Sequence, residues 1–242
     1  MDIIILQKGR VLVNIVVGLA KLLLKRNSEI AKMSHLETQE IVRGVFAIKT
    51  KNANFYIVQN DDNYIAIDAG GGSKDIARAE LSKLNIEPDK ISAILLTHTD
   101  FDHISALSLF NNAVIYISKQ EEQVINGSVP RFTFGVRNKL NYNYTTLEDN
   151  DELCFGNIRV KPILSPGHTF GSMSFLVDDK YLFVGDNLSL TNGKVGLFNS
   201  LFNLSDDTQK ESIRNLAQIS STEYIFTAHY GFTNTPKKAF TA

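Results

Sequence analysis

The fold is decided by a stretch of 13 residues, Ile91-Ser92-Ala93-Ile94-Leu95-Leu96-Thr97-His98-Thr99-Asp100-Phe101-Asp102-His103. Its apolar first half predicts a buried strand, and its polar second half predicts a turn at the edge of a sheet, where side chains from several strands can converge. In an extended backbone, His98 and Asp100 point the same way and can share one metal ion. The adjacent Asp102 and His103 must diverge and could serve a second ion. A surface turn with incidental charges is the alternative, but two His and two Asp after a buried strand have few structural uses.

Three further potential ligands follow short apolar runs later in the chain. They are His168 in Ser165-Pro166-Gly167-His168, Asp186 in Val184-Gly185-Asp186, and His229 in Thr227-Ala228-His229. We expect all three at the same ends of successive strands, where they can share one cavity with the turn at residues 98–103. Of the five histidines, only His35 falls outside this set.

In this order the motifs resemble those of the metallo-β-lactamase superfamily, whose mark is H-x-H-x-D-H followed by a Gly-His turn, a Gly-Asp turn and a last His. The resemblance extends over residues 36–240 and implies an α/β (α+β) fold, a four-layer αββα sandwich of two mixed β-sheets. It implies that His98 and His168 hold metal one, that Asp102, His103 and His229 hold metal two, and that Asp186 bridges both ions. It also places Asp68 beside the metals. The domain would cover residues 35–242 and follow an extension at residues 1–34.

One position departs from the family pattern, because Asp100 stands where most members have the second His. The flavodiiron branch of the family also has a carboxylate there, a Glu, and holds two irons. Two divalent ions carry four positive charges, which Asp100, Asp102, Asp186 and a bridging hydroxide would neutralise, so we expect a milder Lewis acid. Carboxylate oxygen is also a harder ligand than imidazole, which makes metal one the less selective site. The prediction is two divalent ions, zinc first, with iron or manganese as alternatives.

Composition limits the function classes. The chain has 242 residues, 43% of them hydrophobic, which is enough for a buried core. Its formal net charge of -1 leaves no basic excess for a phosphate backbone, so we expect no nucleic-acid partner. The single cysteine, Cys154, excludes an intrachain disulfide and fits a reducing, cytoplasmic location. Its apolar neighbours predict a core residue, and the absence of a Cys ligand weighs against antibiotic hydrolysis.

The extension at residues 1–34 is rich in apolar and basic residues, and this composition predicts a helix. Its apolar runs are too short for a membrane span, and Asp2 before them argues against a signal peptide. One interpretation is a helix that packs on the domain or on a second copy of the chain, giving a homodimer. The other is an interfacial helix whose basic residues face an anionic membrane surface; these residues are Lys8, Arg10, Lys21, Lys25 and Arg26.

Local patterns predict the remaining elements. A β meander covers residues 44–68, with a hairpin turn at residues 59–63, and Ser73 caps a helix over residues 74–84. A short helix follows at residues 104–110, and residues 120–150 are predicted as an irregular cover over the cavity. Further strands are predicted at residues 113–117, 158–163, 173–177, 181–184 and 224–227, with a helix at residues 206–219.

The resemblance implies hydrolysis of an ester, thioester or lactone of a small-molecule substrate by a hydroxide shared between two ions. Asp102 would orient this hydroxide, and Tyr230 could either aim its hydroxyl at the developing oxyanion or stack in the cavity wall. The apolar stretch at residues 188–204 predicts a wall for an apolar substrate. Glyoxalase II activity is less expected, because it uses an added helical domain. The alternatives are a flavodiiron-like oxidoreductase with a separate electron donor and a non-catalytic metal-binding protein.

Overall fold

The computed structural model describes residues 17–18, 20–21, 24, 27–28, 30–131 and 138–241. The chain divides into two compact units, Met1–Met33 and Ser34–Ala242. In the first unit, the described residues up to residue 30 are helical. The apolar runs before residue 17 and four of the five basic residues considered above lie outside the described residues. No helix in the described part of the chain is long and apolar enough to cross a bilayer.

The first sheet of the second unit has seven strands that lie side by side in chain order. They are β1 Gln39–Val42, β2 Val45–Lys49, β3 Asn54–Asn60, β4 Asn63–Ile67, β5 Ile91–Leu95, β6 Val114–Ser118 and β7 Tyr144–Leu147. Strands β1 to β4 form an antiparallel meander, and β4 to β7 run parallel. The predicted hairpin turn joins β3 to β4, where Asn60 pairs with Asn63. Strand β5, which leads into the ligand turn, therefore lies between two parallel neighbours.

The second sheet contains strands from the second half of the chain. Its strands are β8 Leu153–Phe155, β9 Ile158–Leu164, β10 Met173–Val177, β11 Tyr181–Phe183, β14 Tyr224–Phe226 and β15 Phe232–Thr233, in the order β15-β14-β11-β10-β9-β8. Only β11 and β14 pair in parallel, so this sheet is also mixed. Between β11 and β14 in the sequence, β12 Ser189–Thr191 and β13 Lys194–Gly196 form a separate two-stranded ribbon.

Five α-helices connect or cover the described strands. They are α1 Lys74–Ser82, α2 Phe101–Ile104, α3 Lys119–Asn126, α4 Asp206–Ala217 and α5 Pro236–Phe240, with short 3-10 turns at Pro88–Lys90 and Leu107–Leu109. Ser73 and Ser205 cap α1 and α4 by accepting hydrogen bonds from the amides of Ile76 and Thr208. These two helices were predicted within a few residues of their ends.

Three apolar layers show how the elements stack. The middle layer joins the facing sides of the two sheets, for example Tyr56 and Ile65 with Phe175 and Phe226. Outside the first sheet, Ala77 and Leu81 of α1 pack on Ile57 and Ile94. Outside the second sheet, Leu216 of α4 packs on Leu182 and Ile225. The predicted αββα sandwich of two mixed sheets is confirmed.

Two element predictions are wrong in part. The single helix expected at residues 104–110 is two pieces, a helical turn at Phe101–Ile104 and a 3-10 turn at Leu107–Leu109. Asp102 and His103 therefore lie inside a helical turn that starts after the extended residue Asp100. Residues 120–150 are not an irregular cover throughout, because α3 occupies Lys119–Asn126 and β7 occupies Tyr144–Leu147. Ser118 caps α3, and Gly127 ends it with a positive φ of 79°.

Cys154 is exposed, so its prediction as a core residue is wrong. It lies in the middle of β8, the edge strand of the second sheet, between the half-buried Leu153 and Phe155. Successive side chains of a strand point to opposite faces, and the apolar neighbours take the inner face here.

Candidate metal centre

The seven predicted ligands converge at one edge of the sandwich. The turn after β5 carries His98, Asp100, Asp102 and His103; His168 lies between β9 and β10, Asp186 follows β11, and His229 lies between β14 and β15. Their side-chain atoms form three groups in which potential ligand atoms lie within 4.8 Å of one another. These groups are His98 with Asp100 and His168, His98 with His103 and Asp186, and Asp102 with His103 and His229. We call the first of them the first set, and Asp102, His103 and His229 together with Asp186 the second set.

The second set contains buried ligand atoms that have no hydrogen-bond partner among the described residues. The Nε2 atom of His229 lies 3.1 Å from Oδ1 of Asp186 and 3.5 Å from Oδ2 of Asp102, and His103 Nε2 lies 3.5 Å from the same Asp186 oxygen. Among the described residues, His103 Nε2, His229 Nε2 and Asp186 Oδ1 find no hydrogen-bond partner although they are buried. Buried polar atoms are normally satisfied, and imidazole nitrogen with carboxylate oxygen is a common donor set for divalent ions. The second set therefore fits a metal ion.

Asp68 holds two of the histidines in the orientation that this fit requires. Its Oδ2 lies 2.8 Å from Nδ1 of His103, and it accepts hydrogen bonds from the amide and the hydroxyl of Thr97. Because the single hydroxyl proton of Thr97 goes to Asp68, Nδ1 of His98 donates to Thr97 Oγ1, 3.0 Å away. In both histidines, Nε2 is then left to face the centre. The expected position of Asp68 beside the ligands is thus confirmed. Through the hydroxyl of Thr97, Asp68 also orients His98.

Gly185 allows the turn of Asp186 to approach Thr97 closely. Its φ of 53° lies in the left-handed region, and a Cβ built on it would lie 2.4 Å from Thr97 Oγ1. A side chain at this position would therefore displace the hydroxyl that orients His98 and Asp68.

The fifth histidine, His35, also contacts the centre. Its Nε2 lies 3.3 Å from Nδ1 of His229, and the two rings meet edge to face with centroids 5.5 Å apart. The amide of Ser34 donates to the backbone oxygen of His229 at 2.8 Å. No sequence pattern joins His35 to the ligands, because it precedes the first strand and lies 194 residues from its partner.

Arg131 is the second residue that the sequence did not assign to the centre. It is fully buried, and its guanidinium donates two hydrogen bonds to Asp100, from Nε to Oδ1 at 2.6 Å and from Nη2 to Oδ2 at 2.5 Å. Nη1 donates to the backbone oxygen of His168 at 2.8 Å, and Nη2 donates to that of Phe202 at 3.0 Å. Nη2 also lies 2.9 Å from Nε2 of His168. Nothing in the local sequence pairs Arg131 with Asp100, 31 residues earlier.

Two of the three side chains in the first set, Asp100 and His168, are therefore already in contact with a cation of the protein. Burial opposes the charge on Asp100, but the hydrogen bonds from Arg131 hold the pKa of its carboxyl well below the usual value. Burial and the charge of Arg131 lower the pKa of His168 to about 4, against the opposing contact with Asp100. Asn138 adds a hydrogen bond of 2.8 Å to Oδ1 of Asp100. Of the three side chains in this set, only His98 keeps an atom with no described partner.

In the second set, the histidines and the carboxylate of Asp186 shift one another's pKa values. Burial disfavours the charged forms, yet Asp186 and Asp68 raise the pKa of His103 well above its usual value, and Asp186 also raises the pKa of His229. In turn, His229 and His103 hold the pKa of Asp186 well below its usual value despite full burial. A divalent cation can replace these protons, because it supplies the positive charge that Asp186 attracts.

Phe198 forms an aromatic surface beside the ligands. Its ring centroid lies 4.9 Å from that of His168, 5.5 Å from that of His229 and 5.9 Å from that of Tyr230. Other residues of the stretch at 188–204 have a different role, since Leu190 and Val195 pack into the outer apolar layer of the second sheet. Tyr230 is 6% exposed and meets Phe198 edge to face.

Comparisons with known proteins show to which family the chain is similar. A family model described as the metallo-beta-lactamase superfamily matches residues 49–229. The chain is 28% identical over 151 residues to the probable metallo-hydrolase MJ0296 of Methanocaldococcus jannaschii, an alignment that covers 62% of this chain and 63% of that protein. It is 32% identical over 111 residues to the probable polyketide biosynthesis zinc-dependent hydrolase PksB of Bacillus subtilis, covering 45% of this chain and 42% of that protein. The chain thus spans less than two thirds of the length of either relative.

The fold also matches a solved structure. A metallo-beta-lactamase with a HARLDQ motif from Cronobacter sakazakii superposes with a TM-score of 0.64 at 20% identity, over 82% of this chain and 80% of that one. The matched residues 49–229 make up more than half of the chain and include all seven predicted ligands. The chain therefore belongs to the metallo-β-lactamase superfamily.

Proposed function

We propose that this protein is a metal-dependent hydrolase that cleaves an ester, thioester or lactone of a small apolar substrate. The observation that carries the proposal is the group of buried ligand atoms without hydrogen-bond partners among the described residues, contributed by His103, Asp186 and His229. Such atoms destabilise a fold unless a bound group satisfies them, so their convergence indicates a site kept for function.

The second set would hold the ion. When bound, a divalent ion lowers the pKa of water and polarises a carbonyl group. Zinc is the first candidate, in line with the printed description of the Bacillus relative as zinc-dependent, and iron and manganese remain the alternatives. The motif predicts two ions, but this chemistry requires only the one at the second set.

Asp102 would transfer protons in this proposal. Its side chain is 27% exposed, whereas those of His103, Asp186 and His229 are at most 5% exposed. One carboxylate oxygen contacts His229, and the partly open position lets the other orient a water molecule from the solvent side. The same carboxylate can then return a proton to the leaving group.

Phe198 and Tyr230 would contact the apolar part of the substrate. Phe198 meets His168 edge to face and lies tilted beside His229, so a carbonyl group at the centre would have an aromatic neighbour. Tyr230 packs on this ring, which favours a role in the wall. Donation of its hydroxyl to a developing oxyanion stays a proposal.

Metal analysis followed by a substrate panel tests the function. The purified protein would be stripped with a chelator, reloaded separately with zinc, iron or manganese, and assayed against simple esters, thioesters and lactones. We expect turnover of at least one class in the reloaded protein and none in a His103→Ala variant treated in the same way. Equal rates in the two proteins would remove the proposal. An iron protein that changes colour on reduction and hydrolyses nothing would favour the flavodiiron-like alternative.

Three statements about the surroundings of the protein stay predictions from the sequence. They are a homodimer formed through residues 1–34, contact of that segment with an anionic membrane surface, and a cytoplasmic location. The size of the full chain in solution, compared with that of a chain that starts at Met33, tests the first. Equal association states would contradict it.

A further inference from the structure

The first set differs from the second in that an arginine already contacts its ligand atoms. Nη2 of Arg131 lies 2.5 Å from Oδ2 of Asp100 and 2.9 Å from Nε2 of His168, and these two atoms lie 3.2 Å from each other. A metal ion at the first set would have to bind both Asp100 Oδ2 and His168 Nε2. The side chain of Arg131 is 0% exposed, and two backbone oxygens, those of His168 and Phe202, fix the guanidinium from other directions.

A chain of hydrogen bonds shows which nitrogen of His168 carries the proton. The amide of Phe198 donates to Oε1 of Gln209, so the other terminal atom of this side chain, Nε2, must be a donor. Gln209 Nε2 lies 3.1 Å from Oδ1 of Asn203, which is therefore an acceptor. His168 Nδ1 lies 3.2 Å from the same oxygen and donates to it.

It follows that His168 Nε2 has a lone pair and no proton. A neutral imidazole has one such lone pair, and here it lies 2.9 Å from Nη2 of Arg131. The two N–H groups of Nη2 are shared among this nitrogen, Oδ2 of Asp100 and the backbone oxygen of Phe202. A zinc ion needs the same lone pair at about 2.0–2.1 Å. As long as Arg131 keeps its position, His168 cannot serve both cations.

Electrostatic repulsion leads to the same conclusion. A divalent ion bound by Asp100 Oδ2 and His168 Nε2 would lie next to the guanidinium of Arg131, which contacts the same two atoms and is 0% exposed. Two positive groups held side by side away from solvent disfavour each other.

We infer that Arg131 takes the place of the ion expected at the first set, so that the protein holds a single divalent ion, at the second set. This inference rests on the proposed metal-dependent function and specifies its metal content. Asp100 then serves as the fixed counterion of Arg131, which accounts for a carboxylate at the position where most members of the superfamily have a His. Arg131 is a positioning residue in this account, because it holds the first set and touches no reacting atom.

The metal content of the full-length protein tests the inference directly. The metal-free protein would be titrated with cobalt(II), with visible absorption as the readout, and the retained metal would be counted by elemental analysis after dialysis. We expect one equivalent per chain. Two tightly held equivalents would overturn the inference and leave the hydrolase proposal intact. Failure to retain any metal would overturn both, whereas one equivalent without hydrolysis would remove only the hydrolase proposal.

A double variant tests the role of Arg131. Arg131→Ala with Asp100→His removes the buried ion pair as a unit and supplies three histidines at the first set, so we expect the bound metal to rise from one equivalent to two. Arg159→Ala is the matched control, because Arg159 is 67% exposed on β9 and should leave the value at one. A folded double variant, as judged by circular dichroism, that still binds one equivalent would show that Arg131 does not exclude the second ion. If the double variant does not fold, the count in the unmodified protein still decides.

Discussion

The two halves of the metal centre are built from the same kinds of side chain but differ in what satisfies them. In the second set, His103, His229 and Asp186 present buried atoms that no described residue satisfies. In the first set, Arg131 contacts both Asp100 and His168. The positions of the ligands in a motif therefore establish which side chains meet, but a residue outside the motif determines whether their atoms are available to an ion. Variants that act on one half and not on the other test this contrast.

The largest effect is expected for His103→Ala in the second set. His103 is 0% exposed, its Nδ1 is held by Asp68, and its Nε2 faces Asp186. Its removal takes away a ligand, so metal affinity should fall by more than the about 10–100-fold that loss of an outer-shell partner costs. Equilibrium dialysis against a metal buffer measures this loss. Retention of the ion at wild-type affinity would mean that the second set is not the site.

Asp68→Asn should have the next largest effect. Asp68 orients His103 directly and His98 through Thr97, so the amide would weaken both orientations at once. We expect metal affinity to fall by about 10–100-fold, the usual cost of losing a carboxylate that holds a histidine ligand. The measurement is the same dialysis series, and Asp61→Asn, an exposed change on the hairpin turn between β3 and β4, serves as its control. An unchanged affinity would show that Asp68 has only a structural role.

Most of the ligands could be predicted from the sequence because they follow short apolar strands, whereas His168 follows β9, in which buried and exposed residues alternate. Strands β5, β11 and β14 are short and mostly buried, and each ends just before a polar turn, so local pattern alone locates the turns that meet at one edge. The helix α3 was missed for the opposite reason. Its sequence Lys-Gln-Glu-Glu-Gln-Val-Ile-Asn buries only Glu121 and Val124, so it has no apolar stripe of helical period. Ser118 and Glu121 three residues later, with Gly127 at the end, were the signals that could have identified it.

Arg131 and His35 could not be predicted in the same way. Their partners lie 31 and 194 residues away, and neither belongs to a motif or follows an apolar strand. Glu121 is a similar case, because its buried carboxylate accepts hydrogen bonds from the hydroxyl groups of Thr99 and Thr169. Contacts of this kind depend on how the loops meet after folding, which the local pattern of the chain does not encode.

A smaller effect on the second set is expected for His35→Phe. Phenylalanine keeps a ring next to His229 but removes the nitrogen that lies 3.3 Å from its Nδ1. Metal affinity should fall by about 10-fold, the lower end of the range for an orienting partner, because the amide of Ser34 still fixes the backbone of His229. His35→Asn, which restores a polar partner, should recover part of the loss. Full retention of affinity in His35→Phe would show that packing alone orients His229.

The smallest effect is expected for His168→Gln, the counterpart of His103→Ala in the first set. The amide oxygen of glutamine can accept a hydrogen bond from Arg131, and the backbone oxygen of residue 168 keeps its own contact with Nη1. If Arg131 occupies the first set, His168 does not hold the retained ion, and the loss in affinity should be well below about 10-fold. Equilibrium dialysis, the measurement used for His103→Ala, compares the metal affinities of the two variants directly. If His168→Gln loses the ion as completely as His103→Ala, the first set holds metal and the contrast between the two halves is wrong.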